Sequence, residues 1–355
     1  MELTPLEELS ARPGMAGLLQ ALKPRSSRFV GGAVRDGLLG LPVQDIDLAT
    51  ELTPYEVMRR CGACGIRTVP TGIEHGTVTA IVEGRPVEIT TLRSDVSTDG
   101  RRATVAFTHD WRADAERRDF TMNALYWDPE SKELDDWFGG LDDLATGRVR
   151  FIGDPLQRIA EDHLRILRFF RFHARFGKDA PDEAGLAACA DRANDLMALS
   201  RERIADELLK LLALPDPTST IQLMVAHRVL HAVLPEIGEP SLPQLARLVA
   251  TERTAAISTD AIRRLASLLP AEPLLAEKVA IRLKLSNKAR KRMALAADRD
   301  LDGNPRALAF WIGQEAAMDR LLLAGLASDA AELTGWAVPK LPVGGGELIR
   351  RGLAP

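Results

Sequence analysis

The sequence has few residues of the kinds that cross-link a chain or anchor it in a membrane. Its 355 residues include three cysteines, which is too few for a disulfide framework, favours a reducing compartment and predicts a cytoplasmic location. The longest apolar runs, such as LLLAGLA at 321–327, are much shorter than a bilayer span. The acidic start, MELTPLEELS, is not typical of a signal peptide. These absences argue against secreted disulfide-rich and membrane-spanning proteins.

The chain also lacks an overall positive charge. Its formal net charge of −4 argues weakly against general nucleic-acid binding. The basic residues are, however, concentrated: KVAIRLKLSNKARKR at 278–292 has seven of them and no acid, and RILRFFRFHAR at 165–175 has four arginines and no acid. Binding depends on where the positive charge lies, so a nucleic-acid partner stays open.

The pattern of residues changes about halfway along the chain. The first part alternates strand and helix signals, including RFVGG as a strand into a turn, VQDIDLAT as a second strand and a hairpin around EGRP. The polar stretch 94–102 predicts a mobile loop. From about residue 154, apolar residues recur at helical spacing. We therefore predict an α/β domain at 1–150, a helical neck at 151–215 and a helical body and tail at 216–355.

Two short motifs in the first part suggest phosphate chemistry. Asp45 and Asp47 flank Ile46 in a predicted strand, where residues two apart share a face and lie about 6–7 Å apart. Two carboxylates that close repel each other unless a cation or a proton lies between them, and hard cations such as Mg²⁺ prefer oxygen ligands. Gly31 and Gly32 follow a strand, where glycines let a phosphate approach the backbone. Each motif alone is weak evidence, but together they favour phosphoryl or nucleotidyl transfer by a two-metal mechanism.

The pattern GG-x-VRD-x8-D-I-D resembles the signature of the family that contains class II tRNA nucleotidyltransferases (CCA-adding enzymes) and bacterial poly(A) polymerases. Four later stretches resemble that family in the same order, and the resemblance covers about residues 25–215. They are PTGIEHGTVTAIVEGRPVEITTLR, RRDFTMNAL, EDHLRILRFFRF and SRERIADELLKLL.

The resemblance implies a fold, an activity and a set of site residues. The fold is an α/β nucleotidyltransferase head of the polymerase beta type with a small mixed sheet, followed by an all-α neck, body and tail. The activity is addition of C, C and A to the tRNA 3′ end from CTP and ATP. The implied metal ligands are Asp45 and Asp47, with Glu88 as a candidate third carboxylate, and Mg²⁺ is the expected ion.

Two motifs of the family are implied to read the nucleotide. In RRDFTMNAL, Arg118 and Asp119 are expected at the ribose, with Asn123 assisting. In EDHLR, Asp162 and Arg165 are expected to bond to the Watson–Crick edge of CTP or ATP, as a template made of protein. If both lie on one helix, they are three residues apart and share a face.

Further residues complete the predicted sites. Arg168 and Arg171 continue the helix face toward the triphosphate, and a buried helix with so many arginines needs anionic partners. With Gly31, Gly32 and Arg35 they complete the predicted nucleotide-binding set. Gly100 and Arg101 are candidate functional residues of the predicted mobile loop at 94–102. The predicted tRNA-binding residues are those of the basic segment: Lys278, Arg282, Lys284, Lys288, Arg290, Lys291 and Arg292.

Three other functions stay open at this point. A poly(A) polymerase of the same branch, or an enzyme that adds only CC or only A, shares these motifs. A tRNA-binding protein without catalytic activity is a third possibility, although the intact Asp45 and Asp47 argue against it.

Overall fold

The computed structural model describes residues 3–22, 27–98, 103–339 and 350–352. The chain divides into two compact units, Met1–Leu196 and Met197–Pro355, which we describe separately. We call them the head unit and the helical unit. The predicted boundaries at residues 150 and 215 stay predictions.

Two sheets lie in the head unit. The strands are β1 (Ser27–Val30), β2 (Ile46–Thr50), β3 (Arg67–Gly72), β4 (Thr77–Val82), β5 (Arg85–Thr91), β6 (Arg93–Thr98), β7 (Ala103–Phe107), β8 (Tyr126–Trp127) and β9 (Leu134–Asp135). Within the described residues, seven strands form one sheet in the order β3-β4-β5-β2-β1-β8-β9, and β6 pairs with β7. The pairing of β2 with β5 is parallel, whereas the other pairs of the large sheet are antiparallel. The sheet is therefore mixed, as predicted.

The predicted hairpin is β4–β5, with the two-residue turn Glu83-Gly84. Both turn residues have positive φ, 48° and 75°, the conformation that matches the twist of paired strands. This hairpin carries Glu88 on β5. The parallel register of β2 and β5 then places Glu88 directly opposite Asp47.

Helices and short 3₁₀ segments complete the head unit. The α-helices are α1 (Thr4–Ser10), α2 (Met15–Ala21), α3 (Gly32–Leu38), α4 (Pro54–Ala63), α5 (Trp111–Glu116), α6 (Gly140–Thr146), α7 (Pro155–Glu161), α8 (Arg165–Phe176) and α9 (Glu183–Asp191). The 3₁₀ segments are Ile73–His75, Thr121–Asn123 and Ala193–Ala198. The apolar residues of α8 are buried as predicted: Ile166, Leu167, Phe169, Phe170 and Phe172.

The prediction of a mobile loop at 94–102 is wrong for most of that stretch. The chain forms an antiparallel ribbon there, in which β6 pairs with β7. Val and Thr residues in both segments favour extended backbone, and this preference outweighs the polar composition of the stretch. The loop candidates Gly100 and Arg101 lie outside the described residues.

The expectation that Asp162 and Arg165 share one helix face is also wrong. Helix α7 ends at Glu161, and Asp162 has extended backbone with φ −150° and ψ 104°. Its carboxylate accepts a hydrogen bond from the backbone N–H of Leu164 at 3.1 Å, just before α8 begins. A side chain that accepts from the backbone competes with helical hydrogen bonding, which is the physical reason for a break here.

The helical unit has α-helices throughout its described part. They are α10 (Arg201–Leu212), α11 (Thr218–Ala226), α12 (Leu242–Thr254), α13 (Ala261–Ser267), α14 (Pro273–Arg282), α15 (Asn287–Ala297), α16 (Pro305–Ile312), α17 (Gln314–Ala324) and α18 (Ala327–Glu332), with a 3₁₀ turn at Glu239–Ser241. Ser286 caps α15 by accepting from the N–H of Ala289, so a new helix starts within the basic segment. The core packs buried leucines such as Leu248, Leu321 and Leu322. The predicted class, a mixed-sheet head followed by helices, is confirmed.

Candidate active site

Three carboxylates lie on or directly before β2 and β5, the parallel pair in the interior of the head-unit sheet. Asp45 directly precedes β2, Asp47 is the second residue of that strand, and Ile46 between them points into the core with 6% exposure. Glu88 is the partner of Asp47 on β5. In the described part of the chain, none of these three carboxylates forms a hydrogen bond or ion pair with a basic side chain. The predicted carboxylate pair therefore lies on one side of its strand without a partner.

The electrostatics of Asp47 favour a cation. Burial, followed by the negative charges of Glu88 and Asp45, raises the pKa of Asp47 to about 6, although the guanidinium groups of Arg118 and Arg35 act in the opposite direction. Each of the raising effects would be relieved by a bound cation. In the part of the chain that the structure describes, no three His, Cys, Asp or Glu side chains form a compact metal cluster. The donor chemistry fits a hard divalent ion held mainly by Asp45 and Asp47, and the role of Glu88 stays a prediction.

Gly31 makes room for Arg118. Its φ of +65° is in the region that favours glycine, and a Cβ atom there would lie 3.2 Å from Nη1 of Arg118. Gly32 begins α3, and a Cβ on it would lie 3.6 Å from Nη2 of Arg35. The first of these distances is tight and the second is an ordinary contact, so Gly31 alone is needed to admit a guanidinium group here, where the sequence had predicted a phosphate turn.

The sequence analysis missed the residues that hold Arg118. Nε of Arg118 donates to the hydroxyl of Tyr126 at 2.9 Å, and that hydroxyl donates to Asp114 at 2.5 Å. Asp114 is 1% exposed and also accepts from Nε of Arg117 at 2.9 Å. An acid four residues before an arginine on a helix was the available signal. Asp114 and Tyr126 therefore fix the guanidinium whose charge acts on Asp47.

A second chain of hydrogen bonds orders the rest of the RRDFTMN motif. Nη1 of Arg35 donates to Oδ1 of Asn123 at 2.5 Å, and Nδ2 of Asn123 donates to Oδ1 of Asp119 at 2.9 Å. Nε of Arg168 donates to the other oxygen of Asp119 at 2.7 Å. Arg35, 5% exposed, is thus a buried support for Asn123. The structure brings four predicted nucleotide-binding residues into one continuous network.

The charge on Asp119 is strongly stabilised by this network. Burial alone would raise the pKa of Asp119, but the Arg168 guanidinium and the Asn123 amide outweigh burial and lower it to about 2. Asp119 therefore stays an anion at every physiological pH. A fixed carboxylate of this kind can accept hydrogen bonds from ribose hydroxyl groups.

The structure places Arg165 beside the same motif. Its guanidinium donates to Glu161 at 2.6 Å and to the carbonyl oxygens of Arg158 at 3.0 Å and Arg117 at 2.9 Å. These bonds hold the start of α8 against the residue that precedes Arg118. Arg165 and Asp162 lie at the junction of α7 and α8, where the backbone N–H of Arg165 bonds to the carbonyl of Asp162 at 3.0 Å.

The arginines of α8 find anionic partners within the head unit. Arg165 pairs with Glu161, Arg168 with Asp119, and Arg175 with Asp36 at 3.0 Å. The inference that this helix requires a bound anion is therefore not needed to balance these charges. Arg171 lies over the ring of Phe172, 4.6 Å from its centre, and is half-buried.

The basic segment 278–292 is partly engaged inside the helical unit. Arg292 bonds to Asp319 and Asp260, Arg282 to Glu236, and Lys284 to Glu202. Lys288 lies 3.2 Å from Glu315, and Arg290 lies 3.7 Å from Glu277. The lysines at 278, 284, 288 and 291 are exposed, whereas the three arginines are half-buried.

None of the helices in the described part of the chain has the length and apolar character needed to span a bilayer.

Comparison with known proteins gives the family. A model of the Poly A polymerase head domain matches residues 27–150, and a model described as a probable RNA and SrmB-binding site of polymerase A matches residues 180–239. The CCA tRNA nucleotidyltransferase 1, mitochondrial, of Mus musculus is 36% identical over 347 residues, which cover 92% of this chain and 78% of that protein.

Two further relatives agree. The CCA-adding enzyme of Streptococcus gordonii is 46% identical over 189 residues, covering 53% of this chain and 46% of that protein. The solved structure of the Bacillus stearothermophilus CCA-adding enzyme in complex with CTP matches with a TM-score of 0.73 and 29% identity, covering 94% of this chain and 82% of that one. The family is one of metal-dependent nucleotidyltransferases. The chain belongs to the class II CCA-adding enzyme family.

Proposed function

We propose that this protein completes the 3′ end of tRNA by adding C, C and A without a nucleic-acid template. In each step the terminal 3′-hydroxyl of the tRNA attacks the α-phosphate of CTP, twice, and then of ATP. A phosphodiester bond forms, pyrophosphate leaves, and the hydroxyl proton is lost to solvent. The observation that carries the proposal is the unpaired set Asp45, Asp47 and Glu88, directly beside the guanidinium of Arg118.

Asp45 and Asp47 would hold the metal, with Glu88 as a third candidate, and Mg²⁺ suits their oxygen donors. When bound, the ions would stabilise the charge on the attacking and leaving oxygens. The raised pKa of Asp47 means that these carboxylates gain more from a cation than isolated carboxylates would. The protein holds Asp45 and Asp47 at the start of β2 and Glu88 on the neighbouring strand β5, without internal salt bridges among the described residues.

The RRDFTMN network would position the sugar and the phosphates. Arg118, Asp119 and Asn123 would contact the ribose, and their orientations are fixed by Tyr126 and Arg35. Fixed donors and acceptors at a hydroxyl reject an analogue that lacks it, because a polar group is then left unpaired. Gly31, Gly32, Arg168 and Arg171 would lie toward the triphosphate.

Asp162 and Arg165 would read the base. A carboxylate offers acceptors and a guanidinium offers donors, so the pair can match the Watson–Crick edge of cytosine or adenine. Their place at a junction between two helices, rather than within one helix, gives Asp162 an extended backbone conformation, while its N–H still bonds to the carbonyl of Arg158. The junction thus holds the two base-reading side chains between α7 and α8.

The C-terminal helices would bind the tRNA, through the exposed lysines at 278, 284, 288 and 291. We do not carry Arg292 into this role, because it is held in an ion network with Asp319 and Asp260. The division into a head at 1–150, a neck at 151–215 and a body and tail at 216–355 belongs to this proposal. A cytoplasmic location also belongs to it, since it rests on the small number of cysteines, all of which are free.

The test uses tRNA transcripts that lack one, two or three terminal nucleotides. Each is incubated with the purified protein, Mg²⁺ and CTP, ATP or both, and the products are resolved at single-nucleotide length. We expect completion to CCA followed by arrest. Long A tails would replace the proposal with a poly(A) polymerase, and a stop after two additions would replace it with a CC-adding enzyme. No extension with intact tRNA binding would indicate a non-catalytic tRNA-binding protein.

A further inference from the structure

The helical unit contains a cavity that the proposed reaction does not use. It has a volume of about 690 Å³ and lies among the 3₁₀ turn at 239–241, α12 and the end of α17. The charged side chains in its wall are Glu236, Arg247, Arg299 and Arg320. Three of these are arginines, so the balance of charge in the wall decides what the cavity can hold.

Most of the buried arginines of the helical unit have carboxylate partners. Glu252 accepts from Arg263 at 2.7 Å and from Arg264 at 2.9 Å. In the cavity wall itself, Arg320 pairs with Asp298 at 2.5 Å. The one carboxylate of the wall, Glu236, is likewise balanced, since Arg282 lies outside the wall and donates to it at 2.9 Å. These pairs follow the general rule that buried charges are compensated.

Arg299, which is half-buried, does not follow that rule, and the exposed Arg247 beside it also has no carboxylate partner among the described residues. Nη2 of Arg247 donates to Gln244 at 2.6 Å and to the carbonyl of Leu323 at 3.1 Å. Nη2 of Arg299 donates to the carbonyl of Ala266 at 3.0 Å, and its Nη1 is buried without an acceptor. Within the described residues, neither arginine has a carboxylate partner. The wall therefore carries two positive charges that nothing described balances.

The two guanidinium groups also oppose each other. Burial, and to a smaller extent the nearby positive charge of Arg247, lower the pKa of Arg299 to about 10. In addition, Arg299 has a φ of +57°, a conformation that is uncommon for a residue with a side chain. Strained residues persist where the surrounding structure holds them in place, and such positions often serve a function.

We propose that this cavity binds a phosphate group, with Arg247 at its rim and Arg299 in its wall as the two cationic contacts. Two guanidinium groups match the charge of a phosphate dianion, and the planar fork of arginine fits phosphate oxygens better than any other side chain does. The exposed Arg247 can turn toward such a ligand, whereas the half-buried Arg299 supplies a fixed positive charge. The phosphate is either part of a small free molecule or a phosphodiester of bound RNA.

The test compares four full-length proteins: wild type, Arg247→Gln, Arg299→Gln and the control Arg253→Gln. Arg253 is an exposed arginine on the same helix as Arg247. Inorganic phosphate is titrated at constant ionic strength, and binding is followed by calorimetry and by the thermal midpoint. We expect wild type and the control to bind a phosphate in the cavity. In either cavity variant, the affinity of this site for phosphate should fall about tenfold or more, because a charge-assisted hydrogen bond is lost. Any phosphate that binds in the head unit should contribute equally to the titrations of all four proteins, because the substitutions lie in the helical unit.

Stability without phosphate gives a second readout. Arg299→Gln removes an uncompensated buried charge, so its midpoint in phosphate-free buffer should equal or exceed that of wild type. If that variant fails to fold, the exposed position Arg247 still tests the proposal. Equal phosphate binding by all four proteins would overturn it.

The source of the phosphate is distinguished by kinetics on tRNA lacking its last nucleotide. If the ligand is an RNA phosphodiester, Arg247→Gln raises the KM for tRNA several-fold at unchanged kcat and unchanged KM for ATP. If the ligand is a small free molecule, all three constants stay the same while phosphate binding is lost. Phosphate binding does not depend on the proposed CCA addition, so it can fail or succeed independently of that activity.

Discussion

The two units of this protein treat charge in opposite ways. In the head-unit site, arginines are held by carboxylate, amide and hydroxyl groups, and among the described residues of that site the acids Asp45, Asp47 and Glu88 have no hydrogen bond or ion pair with a basic side chain. In the helical unit, acids are held by arginines, and the groups left without carboxylate partners include the bases Arg247 and Arg299.

This difference separates charges that build the fold from charges that await a ligand. A paired buried charge contributes to one defined structure, and removing its partner leaves an uncompensated charge, which is costly. An unpaired charge that is partly buried, or that lies beside a like charge, is unfavourable until a ligand of opposite sign binds. The sign of the unpaired set thus indicates the ligand: a cation in the head unit and an anion in the helical unit.

The largest effect on stability should come from the paired set of the helical unit. Glu252 is 2% exposed and accepts from both Arg263 and Arg264. Glu252→Gln should lower the free energy of unfolding by about 3–5 kcal/mol, because two buried guanidinium groups lose their shared anion. Urea unfolding measures it. The control Glu202→Gln removes an exposed pair with Lys284 and should leave stability almost unchanged, because solvent screens that pair. An equal loss of stability in Glu252→Gln and Glu202→Gln would contradict the claim that burial makes an ion pair costly to break.

A smaller effect, and one that depends on pH, should come from the paired set of the head unit. The pKa of Asp119 is lowered to about 2 in the folded protein, so its stabilising contribution is complete above its ordinary value near 4. That contribution is lost as the pH falls from about 4 to about 2. Asp119→Asn should therefore cost about 2 kcal/mol at pH 7, and the difference from wild type should shrink toward zero near pH 2.

The matched control for this prediction is Asp206→Asn, which removes an exposed pair with Lys210. Unfolding curves from pH 2 to pH 7 should show almost no change for it at any pH. A difference between wild type and Asp119→Asn that stayed constant over the whole range would contradict the electrostatic account of Asp119.

The smallest effect should come from the hydroxyl that holds Arg118. Tyr126→Phe removes an acceptor for Arg118 and a donor to Asp114, at a cost of about 1 kcal/mol. Discrimination between CTP and dCTP, measured as a ratio of kcat/KM values, should fall about three- to tenfold, because Arg118 is then less firmly placed at the ribose. Tyr55→Phe is the control, since Tyr55 is 70% exposed. An unchanged ratio in Tyr126→Phe would assign the tyrosine to stability alone.

Local sequence patterns predicted the parts of the site that depend on neighbouring residues. The D-x-D spacing placed Asp45 and Asp47 at one strand end, and the EGRP turn predicted the β4–β5 hairpin. Apolar spacing also identified the buried face of α8. The family resemblance then supplied the order of the motifs, and the relatives confirm that assignment.

Other features required long-range contacts that no local pattern shows. Tyr126 reaches Asp114 only because β8 pairs with β1, and Asn123 depends on Arg35, which lies 88 residues earlier. The break after Glu161 was missed because the spacing of EDHLR fits a continuous helix, whereas Asp162 bonds to the backbone instead. Two partners of the α8 arginines, Asp119 and Asp36, were missed because they are distant from α8 in the sequence.

The central claim is that the unpaired carboxylates Asp45 and Asp47, at the start of β2, carry the chemistry. One comparison tests this claim most directly. CTP incorporation into tRNA lacking CCA is measured for wild type, Asp47→Asn and the control Glu83→Gln, an exposed carboxylate at the hairpin turn. We predict that Asp47→Asn loses activity by on the order of 10³-fold or more, as loss of a metal ligand implies, while it binds tRNA like wild type and has an equal or higher thermal midpoint. Activity in Asp47→Asn close to that of Glu83→Gln would contradict the account.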